Sequence, residues 1–347
     1  MRKIRLVFFI IILLLILYLL QLLLIPKYMT SLIEGAFIEE YYYNQEGYDE
    51  KDHDVIFIGD CEVYSNFIPA VLYEEYGINS YVRGSAQQLI WQSYYILEDT
   101  LNYEVPDVVV FNVSTIRYDE PQKEEYNRMT LDGMNWSISK INSITTSMLE
   151  SESLLDYVFP ILRYHSRWSE LTFEDFEYMF SSDLVSYNGY YLRVDTQPYT
   201  SVPNGSVLET YDISENVLEY LDKITNLCDE NDIELILIKA PSLYPYWYDE
   251  WDEQITNYAL NNDITYINFL DYTNEIGLDY NTDTYDGGSH LNLYGATKLT
   301  SYFGEILSTQ FELEDRSDEE VLSSLWEIKL ERYYEDIEIQ KELYGVE

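Results

Sequence analysis

Two short segments of the chain hold residue types that could do chemistry. Ile58-Gly59-Asp60-Cys61-Glu62-Val63 follows an apolar run and leads into a helical pattern. Asp286-Gly287-Gly288-Ser289-His290-Leu291-Asn292 lies late in the chain, just ahead of Tyr294-Gly295-Ala296 and another helix. A thiol at the carboxyl end of a buried strand stands where open parallel sheets bind their ligands. If it also starts a helix, the dipole and free N–H groups there favour an anion. A cysteine in that position beside an imidazole is expected to have a lowered pKa. The chain has three histidines. His53 and His165 stand in no recognisable pattern, which directs attention to His290. Three scattered histidines do not make a zinc set. With no glycine-rich phosphate loop either, neither metal nor cofactor is expected.

These residues need a scaffold, and the apolar runs supply one. Residues 54–59 (DVIFIG), 80–83 before Gly84, 107–113 (DVVVFNV), 233–240 (IELILIKA) and 264–270 (ITYINFL) are short and mostly rich in β-branched residues. Helical patterns at 214–230 and 249–261 precede the last two. Strands alternating with helices imply βαβ units and a parallel sheet with both faces covered. The expected fold is α/β, with five parallel strands in the order 2-1-3-4-5 and right-handed crossovers. Residues 120–212 interrupt the alternation. They are aromatic, with helical patches at 138–160 and 170–180, and read as an insertion forming a lid or substrate wall; a separate domain lacks a linker signal. The acidic tail, 311–347, is expected to be a helix packing through Leu322, Leu325, Trp326 and Ile328.

The charge excludes one class of partner. Sixty-three acids face 20 bases, and residues 1–27 hold four of the bases and no acid. A surface this acidic repels nucleic acid, which is bound through basic patches. Residues 6–25 are apolar except for Tyr18 and Gln21, and 20 helical residues span about 30 Å, the thickness of a bilayer core. Arg2, Lys3 and Arg5 precede this run, so the N-terminus is expected in the cytoplasm and the rest outside. A cleaved signal peptide would have a shorter apolar core and a small-residue cleavage site, whereas this run ends in Ile25-Pro26-Lys27-Tyr28-Met29. Residues 1–27 therefore read as a single-pass cell-membrane anchor, 28–52 as a polar, Tyr-rich stalk, and 53–310 as the α/β domain. Two cysteines allow at most one bridge, and Cys228 reads as a buried core thiol.

Gly59-Asp60-Cys61 resembles the Gly-Asp-Ser block of the SGNH/GDSL hydrolases, and the segment ending in His290 resembles their late Asp-x-x-His block. Gly84 matches the glycine of the second block, and Asn112 the asparagine of the third. The resemblance covers roughly residues 54–308 without the insertion. With its anchor, the chain is also similar to the D-alanine transfer protein and to polysaccharide O-acetyltransferases. It implies a three-layer, flavodoxin-like domain. It further implies that Cys61 attacks an acyl carbonyl, His290 takes the proton and Asp286 orients the imidazole. The N–H groups of Cys61 and Gly84 and the Asn112 amide would bind the oxyanion. Two departures stand out: cysteine replaces serine, and Asp286 lies four residues before the histidine where the family has three. Asp283, seven before, is the poorer candidate. Asn112 also fits a purely structural bridge between strand ends.

The implied activity is acyl-ester hydrolysis or O-acyl transfer on cell-envelope polysaccharide or another acylated polymer, with a membrane acyl-donor protein as a possible partner. Tyr244, Tyr246 and Trp247 follow the fourth strand at the ligand edge, where aromatic faces could stack on sugar. The other reading is a catalytically inactive, membrane-tethered binding or assembly protein on the same scaffold.

Overall fold

A computed structural model of the chain describes residues 2–26, 36–43, 52–177, 179, 187–311 and 313–346. The apolar runs become β1 (Val55–Gly59), β2 (Ser80–Gly84), β3 (Val108–Asn112), β4 (Glu234–Lys239) and β5 (Thr265–Asn268). They form one sheet, β2-β1-β3-β4-β5, with every pair parallel, as expected. Before and between the first strands come helices α1 (Arg2–Leu24), α2 (Ala36–Tyr43), α3 (Cys61–Asn66), α4 (Pro69–Tyr76) and α5 (Ile90–Thr100). The insertion carries α6 (Glu124–Leu131), α7 (Ile138–Ser147), α8 (Leu154–Val158), α9 (Ile161–Tyr164) and α10 (Phe173–Glu177). The remainder holds α11 (Glu215–Asp229), α12 (Asp249–Asn262), α13 (Thr273–Ile276), α14 (Leu293–Gln310) and α15 (Glu320–Tyr344).

Alternation along each strand sends neighbouring residues to opposite faces. Val55, Phe57, Val82, Val110, Ile236 and Ile238 pack with α3, α4, α14 and α15. Ile56, Ile58, Tyr81, Val109, Phe111 and Leu237 pack with α5, α11 and α12. Because both faces of the sheet centre are buried, β1, β3 and most of β4 read as unbroken apolar runs.

The insertion embraces the β2 edge. Its helices pack on the second face through Leu131, Ile144 and Tyr157, whereas Tyr187, Tyr190, Leu192 and Val194 join the first. At the edge, the Val82 N–H donates to Asn188 O at 2.8 Å, pairing an otherwise open position. The tail helix α15 fastens this limb. Lys329 Nζ donates to Asn188 Oδ1 at 2.6 Å and Gln340 Nε2 to Leu192 O at 3.0 Å. Its buried stripe is Leu322, Trp326, Tyr333 and Ile337, with Trp326 stacked 4.8 Å from Tyr73. Ile328, expected in that stripe, is 63% exposed, since the stripe continues at spacings of four and three from Trp326 and leaves it on the far side.

The region expected as a stalk also differs. Residues 28–35 and 44–51 lie outside the described residues, but α2 between them is built into the fold, with Phe37, Ile38, Tyr41 and Tyr42 buried. The fully buried Arg83 guanidinium lies 4.1 Å from the Tyr41 ring centroid and 5.1 Å from that of Tyr42. Tyr41 donates to Glu104 Oε1 at 2.8 Å. Tyrosine buries an apolar body once its hydroxyl finds a partner, so a Tyr-rich segment need not be a surface one. Preceding it, α1 is long and apolar enough to cross a membrane, with a mean hydropathy of 3.2 over an 18-residue window.

Candidate functional site

β1 ends at Gly59, and Asp60 turns the chain into α3. In extended geometry, Asp60 caps that helix by accepting the Glu62 N–H at 3.1 Å. Cys61 is thereby the first helical residue, a position whose N–H has no intrahelical acceptor. It is half-buried and unbridged. Beside it, Gly84 at the end of β2 is in register with Gly59. A Cβ on Gly84 would lie 2.5 Å from Val63 Cγ2 and 3.1 Å from Asp60 O. Only a bare backbone lets β2 approach the start of α3 this closely.

His290 reaches the same place from the other end of the chain. Asn292 caps α14, accepting the N–H groups of Tyr294 and Gly295 at 3.1 and 3.2 Å. The loop before it is tied to α3 by two bonds. Leu291 N donates to Asn66 Oδ1 at 2.9 Å, and the Ser65 and Tyr285 hydroxyls meet at 3.1 Å. Asp286 Oδ2 lies 2.5 Å from His290 Nδ1, and Asp286 Oδ1 accepts the His290 N–H at 2.8 Å. Gly287 (φ 81°) and Gly288 (φ 104°) make the turn between them, in a backbone region that favours glycine. The Cys61 side chain lies near enough to the imidazole to act on its proton affinity. With Nδ1 held by Asp286, Nε2 is the nitrogen left for the sulfur. Burial disfavours the imidazolium, but the neighbouring Cys61 and the bond to Asp286 outweigh it and hold the His290 pKa well above the usual histidine value. The Tyr285 ring stacks on the imidazole with centroids 5.7 Å apart.

Asn112, at the end of β3, sits beneath these groups with no exposure. Its Nδ2 donates to Asp60 Oδ1 at 3.1 Å and Glu62 Oε2 at 3.0 Å, and its Oδ1 accepts the Ala240 N–H at 3.2 Å. Both amide hydrogens are thus engaged, leaving none to turn towards an oxyanion in this arrangement. Asn112 links two buried ion pairs. Glu62 Oε2 lies 2.9 Å from Lys239 Nζ, the side chains 3% and 1% exposed. Asp60 Oδ2 lies 3.3 Å from Arg117 and accepts from Ser114 Oγ at 2.5 Å. Two carboxylates and two cations at the carboxyl ends of β1, β3 and β4 thus form a neutral floor under Cys61.

The aromatics after β4 divide. Trp247 is structural, its Nε1 donating to Asp252 Oδ1 at 3.1 Å and its ring 5.7 Å from Lys239 Nζ. Tyr246 packs on Tyr248 at 4.9 Å and against Gly205 of the insertion. Tyr244 is 62% exposed. This loop abuts the histidine loop through Leu243 N, which donates to Gly288 O at 2.8 Å. The insertion forms a wall there as well. Gln197 N donates to Thr284 O at 2.8 Å, and Gly287 N to Gln197 O at 3.1 Å. Cys228 lies in the core, where burial pushes its thiol up to about 12. His53 pairs with Glu104 at 3.0 Å, and His165 is exposed on the insertion.

Sequence reasoning did not single out Glu62, Arg117, Lys239 or Tyr285. A signal existed for Lys239, a lysine closing the apolar run LILI of β4, and for the acids flanking Cys61. The sequence matches no family model and no curated protein.

Proposed function

We propose that the chain is a membrane-anchored acyl-ester hydrolase or O-acyltransferase of the SGNH type, with Cys61 as nucleophile, His290 as base and Asp286 as its orienting acid. One observation carries this reading. At the carboxyl end of β1, Cys61 acts on the proton affinity of an imidazole whose Nδ1 is held by the Asp286 carboxylate, the grouping a nucleophile, base and orienter need. The parallel sheet, with Cys61 at the carboxyl end of a central strand, supports the three-layer SGNH fold.

In this mechanism the sulfur attacks an ester carbonyl and a C–S bond forms. The carbonyl oxygen takes the negative charge, received by the N–H groups of Cys61 and Gly84. The C–O bond then breaks, and the leaving alcohol takes the imidazolium proton. The thioester is opened by water or by a hydroxyl of an acceptor, whose proton passes to His290 as the thiolate departs. Tyr244 and Tyr246, on the rim beside the histidine loop, suit a glycan acceptor on the cell envelope. A membrane acyl-donor protein would supply the acyl group for transfer. The anchor is α1, with the N-terminal bases cytoplasmic and the α/β domain outside.

The test is turnover of a small activated acyl ester by the full-length protein. Wild type should release the alcohol, Cys61→Ala and His290→Asn should not, and Cys61→Ser should retain part of the rate. Equal rates in wild type and Cys61→Ala would sink the catalytic reading and leave the tethered binding protein.

A further inference from the structure

The insertion turns large apolar side chains outward where α1 meets the fold. Residues 3–18 of α1 are exposed, whereas Gln21, Leu22 and Leu23 are half-buried and Leu24 is buried. The cover over that last turn comes from α9, α10 and the 3-10 turn His165–Ser169 between them. Arg167 fixes the junction. Its Nη1 donates to Leu24 O at 2.8 Å and its Nη2 to Asp175 Oδ1 at 3.0 Å, while Asp175 Oδ2 accepts the Thr172 N–H at 2.9 Å. The last carbonyls of a helix lack intrahelical partners, and a guanidinium both satisfies one and complements the dipole.

Around this junction Leu155, Phe159, Leu162, Trp168, Phe173 and Phe176 are all at least half exposed, Phe173 at 82% and Trp168 at 72%. On so acidic a chain, a cluster of this kind marks a contact surface. We infer that this face of the insertion lies in the membrane interface, its side chains seated among headgroups and upper acyl chains beside α1. The inference rests on the reading that α1 spans a bilayer. If it does, the hydrocarbon must end where protein begins to cover the helix. The exposed stretch before that point, Lys3 to Leu20, is about 27 Å long, close to the thickness of a bilayer core. A surface hydrogen-bonded to Leu24 then sits at the lipid boundary. Its composition suits that depth, since tryptophan favours interfaces and short helices with one apolar side lie in the interface plane. With α1 as one attachment and this face as a second, the domain is held from turning freely about its anchor.

The test uses the full chain in lipid nanodiscs, with and without phosphatidylcholine brominated near the headgroup end of its acyl chains. Brominated lipid should quench tryptophan emission in wild type, and Trp168→Phe, a change at an exposed site, should lose most of that quenching. Carbonate extraction of membranes carrying the chain reports separately on α1. If the chain resists extraction and quenching is the same in both proteins, the interfacial face is refuted while the anchor stands, as would follow if a protein partner covered it. If carbonate releases the chain, the anchor reading fails and this inference falls with it.

Discussion

Asp286 grips His290 at two points, its Oδ2 2.5 Å from Nδ1 of the ring and its Oδ1 2.8 Å from the backbone N–H. One carboxylate therefore sets both the tautomer of the ring and the bend of the loop that carries it. Asp286→Asn keeps an oxygen for the backbone bond but loses the charge facing the imidazole. Acylation of Cys61 by an activated ester should slow by about 10²–10⁴-fold, the usual worth of a positioned acid–base pair, with the unfolding midpoint little moved. An unchanged rate would mean that Asp286 only shapes the loop.

The titration of His290 gives a second check. Burial opposes its charge, yet Cys61 and Asp286 raise its pKa. NMR of the ring nitrogens should place its midpoint above the ordinary value of about 6.5, and Cys61→Ala should lower it. Because the folded pKa exceeds the unfolded one, the stability this group contributes is complete below about pH 6.5 and lost as pH rises through the folded pKa. The stability gap between wild type and His290→Asn should accordingly narrow with rising pH. A gap that widens would contradict the assignment.

The floor of the site makes a prediction about folding. Lys239→Met leaves the Glu62 carboxylate buried without its cation and should cost about 3–5 kcal/mol in denaturant unfolding. The double variant Glu62→Leu/Lys239→Met should recover much of that loss, because no uncompensated charge remains. Equal instability in both would show that the pair matters through packing alone.

Gly84 tests the closeness of β2 to the nucleophile. Gly84→Ala places a methyl 2.5 Å from Val63 Cγ2 and should destabilise by about 1–3 kcal/mol, as overpacking does. Val63→Ala in the same chain should relieve part of it, a coupling that a double-mutant cycle reads directly. Strict additivity would place the two residues apart.

The parts of this architecture that were legible share a cause. The central strands β1, β3 and β4, buried on both faces, show as continuous apolar runs, and the alternation of strands with helical patterns marked the parallel α/β order. Cys61 and His290 were visible because few residues of their kinds compete with them. Partnerships were not visible. Glu62 and Lys239 lie 177 residues apart, and nothing local in either segment announces the other. The place of Asn112 was legible but the direction of its amide was not, because that depends on carboxylates brought in by another strand's exit. The tyrosines of α2 read as surface because the hydroxyl partners that let them bury, such as Glu104 for Tyr41, are supplied from distant elements.

Peptide mass spectrometry reads acylation of Cys61 directly. The full-length protein would be mixed briefly with an activated acyl ester, quenched in acid and digested. One acyl group is expected on the peptide carrying Cys61, absent in Cys61→Ala and strongly reduced in His290→Asn, with Cys228 unmodified. Unmodified Cys61, or acylation at equal rates in wild type and His290→Asn, would contradict Cys61 as nucleophile with His290 as its base.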